Sequence, residues 1–169
     1  MIVFGVAEAL QCWQGQSVTE TIVKIPGQQL PHLDDLNGSI PESEWDEGLN
    51  GEPRPPWQRA YLIYLLNPRD GSIFTLINST IGMRICFDRI KDRVRYVRAL
   101  RGDRVCPLVQ LDSKAMKTAY GVKRRPELTI LEWRDLSPQS ALERAPAKQI
   151  GEPVSEPTHG EEMKDENPY

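Results

Sequence analysis

The spacing of apolar and polar positions changes period several times along this chain. VTETIVKI (18–25) alternates and is β-branched, and Pro26 and Gly27 close it, so it predicts a strand. QRAYLIYLLN (58–67) is aromatic and aliphatic and predicts a second strand. NPRDG (67–71) has the Pro and Gly of a tight reversal, and SIFTLINS (72–79) returns as the third strand, making a hairpin. The period then lengthens. In GMRICFDRIKDRVRYVRALRG (82–102), Met83, Phe87, Ile90, Val94 and Val97 recur at steps of four, three, four and three, the stripe of an amphipathic helix. Ser79 or Thr80 is placed to cap this helix and Gly102 to stop it. RVCPLVQLD (104–112), with Pro107 marking an edge or a bulge, and ELTILEWRD (127–135) predict the last two strands.

Residues 1–17 carry no clear period and read as an N-terminal extension. Residues 26–57 are rich in Pro, Gly, Asn and acid, a long loop with a short helical turn expected near Glu42–Glu47. Trp45 and Trp57 flank its second half and are expected to pin it to the body. The predicted fold is therefore mainly β with one helix (α+β), spanning 18–135. A five-stranded OB-like barrel, with its helix between strands three and four, has this element order. A small open α+β sheet with one packed helix would give a similar string.

Charge changes this picture more than composition does. The net charge is −3 over 169 residues, but residues 1–53 hold nine acidic and one basic side chains, a net −8. Residues 54–134 hold seventeen basic and seven acidic side chains, a net +10, and residues 135–169 a net −5. A basic body thus lies between two acidic flanks. The Pro, Ser, Glu and Gln of residues 136–169 predict a disordered acidic tail, ending in GEEMKDENPY. Cys12, Cys86 and Cys106 have no metal-ligand spacing and apolar neighbours, which suits buried free thiols in a reducing compartment. The apolar start MIVFGVAEAL is too short to span a bilayer and lacks a basic lead, so a cytoplasmic protein without a membrane segment is expected.

Candidate chemistry centres on SKAMKTAYGVKRRP (113–126), a basic loop in this prediction. Lys114, Lys117, Lys123, Arg124 and Arg125 would meet phosphates, while Tyr120 offers a face to a base. Arg59 and Tyr61, on one face of the second strand, extend this set. Arg84, Lys91, Arg95 and Arg98 share a helix face, with Asp88 and Asp92 close enough to pair with them. Catalysis finds little support. His32 and His159 belong to no nucleophile or metal pattern, and no glycine loop cradles a phosphate. Asp34 and Asp35 lack the spacing of a calcium site, so no catalytic residue, metal or cofactor is expected.

The strand order, the basic loop and the tail together resemble the single-stranded-DNA-binding proteins of bacteria and their phages. The tip DENPY is similar to that family's acidic tail, which closes on a proline and an aromatic residue. The resemblance implies that Asp165, Glu166, Pro168 and Tyr169 dock on a replication or recombination protein. It also implies assembly into a homo-oligomer. Here the tip carries tyrosine rather than phenylalanine, and the linker is short. GEPRPPWQRAYLIYLLNPRDGSIFTLINSTIGMR (51–84) further resembles uncharacterised proteins of phages and mobile elements.

The expected function is sequence-tolerant binding of single-stranded nucleic acid, DNA by the resemblance with RNA left open, without enzymatic activity. The main rival is a protein-interaction or inhibitory accessory factor of a phage or mobile element that binds no nucleic acid. A metal-dependent nuclease using Asp34 and Asp35 is the second rival.

Overall fold

A computed structural model of the chain describes residues 1–48, 51–119 and 121–137. The elements are β1 (Ile2–Gln14), β2 (Ser17–Val23), α1 (Leu33–Gly38), a 3-10 turn (Glu42–Glu44), β3 (Asp46–Glu47) and β4 (Pro53–Arg54). They continue with β5 (Trp57–Leu66), β6 (Ile73–Asn78), α2 (Ile81–Arg101), β7 (Val105–Thr118) and β8 (Gly121–Asp135). β3 and β4 pair only with each other. The rest form one antiparallel sheet in the order β6-β5-β1-β7-β8, with β2 also on β1.

β1 organises the sheet. β5 runs along one side of it, from Ile2 opposite Leu66 to Cys12 opposite Trp57. Its other side is divided: Ile2 meets Leu108 of β7 at one end, and Ala9–Gln14 meet β2 at the other. Residues 2–14 are thus the middle of the sheet rather than an extension. Their period is hidden because a bulge between Val3 and Gly5 shifts the alternation. Both faces of this strand also bury side chains, among them Val3, Ala9 and Leu10, so it has no polar face to reveal a strand.

The sheet does not close into the expected barrel. β6 and β8 end the strand order, and each pairs with a single neighbour. α2 covers one face instead. The predicted stripe is what it buries: Met83, Phe87, Ile90 and Val94, joined by Cys86, pack on Val3, Tyr61, Ile63, Leu65 and Val109. Each such side chain contributes about 1.5–3 kcal/mol of burial. Thr80 caps the helix, its hydroxyl accepting from the Met83 amide at 3.3 Å, and Gly102 ends it at φ 94°.

A second cluster joins Leu10, Cys12 and Trp57 to Leu30, Leu33, Leu36 and Ile40 of the long loop. Asn37 clamps it, accepting from the Trp57 amide at 2.9 Å and donating to the Trp57 carbonyl at 3.2 Å. Trp57 thus joins the loop to the sheet as expected, whereas the Trp45 indole donates to the Ile40 carbonyl within the loop itself. The helical turn at Glu42–Glu44 was also legible, whereas α1 was not. No helix among the described residues is long and apolar enough to cross a membrane. Cys12, Cys86 and Cys106 are all buried and unbridged.

Candidate nucleic-acid interface

Residues 113–126 are not a loop. β7 and β8 continue through them as a paired ribbon and reverse at Thr118–Gly121, where Gly121 adopts φ 93°. The sequence hides this because Lys, Arg, Ser and Ala interrupt any apolar alternation, and most side chains of the ribbon are exposed. Register places Lys114 opposite Arg125, Ala115 opposite Arg124, Met116 opposite Lys123 and Lys117 opposite Val122. Five basic residues and no acidic one therefore share two short strand segments.

These cations differ in availability. Lys114, Lys117 and Lys123 are exposed and have no ion-pair partner among the described residues. Arg124 is exposed but held across the ribbon, its Nε and Nη2 donating at 2.8 Å to the Ser113 hydroxyl and carbonyl. Arg125 is only 5% exposed and ion-pairs with Glu127, which also receives Arg89 at 3.0 Å. It therefore braces the ribbon's base and does not face solvent, correcting its assignment to phosphate binding. Gly82 of α2 lies directly over it: a Cβ there would fall 2.7 Å from the Arg125 Cβ. Only glycine lets the helix approach the ribbon so closely.

Tyr61 also needs correction. It is 8% exposed, with its ring centroid 5.1 Å from that of Phe87, so its face belongs to the core. Strand alternation had left open which face of β5 fills the interior. Arg59, two residues earlier, is exposed as expected and lines an open recess with Glu8, Tyr61, Arg84 and Asp88. Arg59 therefore lies near the first turns of α2, while Arg125 touches that helix at Gly82. Tyr120 and the tail residues Asp165, Glu166, Pro168 and Tyr169 lie outside the described residues.

The cationic face expected on α2 is largely engaged within the protein. Lys91 binds Glu8 at 2.9 Å, Arg84 lies 3.7 Å from Asp88, and Arg95 bonds Asp92 at 3.3 Å. The Lys91 hydrogen bond holds the Glu8 carboxyl below its ordinary value, against the opposing effect of burial. Arg98 donates to the carbonyls of Val105 and Phe4 and to the Cys106 sulfur, tying the end of α2 to β7 and β1. Sequence spacing could not show these long-range partners. Burial pushes the Cys86 thiol up.

Asp34 and Asp35 occupy the first turn of the short helix α1. Among the described residues, no group of three or more His, Cys, Asp or Glu side chains is placed to hold a metal ion. No family model, curated protein or solved structure matches this chain.

Proposed function

We propose that this is a non-enzymatic, sequence-tolerant nucleic-acid-binding protein that grips the phosphate backbone with the β7–β8 ribbon. The observation that carries the proposal is the set of three exposed lysines, Lys114, Lys117 and Lys123, none paired within the described residues, on a ribbon with no acid between residues 113 and 126. Mobile ammonium groups release condensed counterions from phosphates wherever they land, and so bind without reading sequence. Arg59 extends the cationic surface at the other side of the α2 N-terminus.

Single-stranded DNA is the first ligand proposed, because Tyr120 stands beside the turn in sequence and an aromatic face stacks on any base. With the barrel absent and Tyr61 in the core, stacking rests on Tyr120 alone. The paired form of the ribbon favours a second reading, duplex DNA, since a two-stranded β-ribbon fits the major groove. In the proposed setting, the cytoplasm of a cell hosting a phage or mobile element, the tail tip of Asp165, Glu166, Pro168 and Tyr169 would recruit a protein partner.

Fluorescence anisotropy with a labelled oligo(dT) of about thirty nucleotides, beside a duplex of equal length, tests the proposal. Binding that weakens steeply with salt supports it, and the tighter of the two ligands selects between the readings. Absence of binding to either at low salt, for the full chain and for a chain ending at Ser137, sinks it in favour of a protein-interaction module.

A further inference from the structure

β6 has the sequence of an interior strand and the position of an edge strand. Its neighbour on one side is β5, with Leu62 opposite Ile77, Ile63 opposite Leu76 and Leu65 opposite Phe74; among the described residues no strand lies on the other side. An ordinary edge strand keeps one polar face, and usually a charge or proline that discourages further pairing. β6 has neither. Phe74 and Leu76 lie on the face that α2 covers, Ile73 and Ile77 on the opposite face, and the polar side chains of β6 are the uncharged Thr75 and Asn78.

Much of that apolar surface is in water. Ile73 is 66% exposed, Phe74 51% and Ile77 37%, and Ile81 at the adjoining start of α2 is 71% exposed. No charged residue occurs between Asp70 and Arg84. The outer backbone edge of β6, with its donors and acceptors, therefore sits in an uncharged apolar border on both sides of the sheet.

We propose that this edge is a self-association surface, and that its occupant is a second copy of the chain pairing β6 to β6 antiparallel about a two-fold axis. Electrostatic and steric self-complementarity point to a second copy. A two-fold axis passing between the two copies of Thr75 sets Ile73 opposite Ile77 and Phe74 opposite Leu76, each pair on one face of the sheet, with no charge facing a like charge. The pairing satisfies the open backbone groups and buries Ile73, Phe74 and Ile77, forming one sheet across two protomers. It also leaves the β7–β8 ribbons at the two far edges of that sheet, because β6 and β8 end opposite sides of the strand order. The surface stands on its own residues, whether or not the ribbon binds nucleic acid.

Sedimentation analysis of the full chain at micromolar concentration tests this, without any nucleic acid present. The expected particle is a dimer of the 19.2 kDa chain. Ile73→Lys, at a site solvated in the single chain, should raise its dissociation constant about a hundredfold or more by placing an ammonium against an apolar partner. Its circular dichroism spectrum should be unchanged. Leu131→Lys on β8, also at an exposed position, should leave the dimer intact. Should Ile73→Lys fail to fold, Phe74→Lys, on the other face of the strand, decides in the same assay. A monomeric wild-type chain overturns the proposal. So does a dimer that survives the β6 substitution, or one that dissociates with Leu131→Lys instead.

Discussion

β7 and β8 are each built in two halves that obey different chemistry. At the base, Val105, Cys106 and Val109 are buried, and Trp133, Ile130 and Leu128 pack towards α2. Farther out, the same two strands keep their register but lose their apolar cover, and lysines replace it. In the covered region cations are spent internally: Lys91 on Glu8, Arg98 on backbone carbonyls, Arg125 on Glu127. In the outer ribbon, Lys114, Lys117 and Lys123 have no such partner among the described residues. The contrast teaches that the number of basic residues in this chain is a poor guide to a binding surface; what matters is which of them the fold leaves unpaired.

The comparison can be broken first from the covered side. Phe87→Ala removes the ring at the centre of the core and should cost about 3–5 kcal/mol, read as a lower urea midpoint. The fraction that remains folded should keep the wild-type salt dependence of nucleic-acid binding.

The converse experiment strips the ribbon. Lys114→Ala with Lys117→Ala and Lys123→Ala should reduce affinity for oligo(dT) about a hundredfold at low salt, while stability changes by no more than about 0.5 kcal/mol. A loss of stability equal to the loss of affinity would mean that these lysines hold the fold after all.

Gly82→Ala probes the joint between the two regions. The added methyl meets the Cβ of Arg125, a buried side chain with little room to retreat, and should cost about 1–3 kcal/mol. Amide hydrogen exchange should quicken at the ribbon base and the first turns of α2 before it quickens at β5.

The smallest effect expected is Glu8→Gln. Because the folded carboxyl lies below its ordinary value of 4.5, its contribution is complete above that pH and is lost as pH falls through the lowered folded value. Lys91 and Glu8 are partly solvated, so the gain at neutral pH is under about 1 kcal/mol. The variant should be slightly less stable than wild type at neutral pH, and the gap should close in acid.

The sequence was most legible where local spacing and burial agree. The stripe of α2 was readable with its Thr80 cap and Gly102 stop, as were the β5–β6 hairpin with its NPRDG turn and the bulge near Pro107. β1 was not, because a central strand buried on both faces shows no alternation and its bulge breaks what remains. The outer ribbon was hidden for the opposite reason, most of its side chains being exposed. The barrel failed because the order of strands along the chain leaves their closure undetermined: β6 and β8 could have met, and α2 covers the sheet instead. Of the candidate site, the basic composition was legible, whereas the burial of Tyr61 and Arg125 depended on partners that lie far away along the chain, Phe87 and Gly82 among them.

The most direct test is the salt dependence of binding, measured by anisotropy on the wild-type chain and on the triple lysine variant. If the three ribbon lysines each neutralise a phosphate, the slope of log affinity against log salt should flatten by about 2–3 in the variant. An unchanged slope would contradict the account, because the phosphates would then be held elsewhere on the protein.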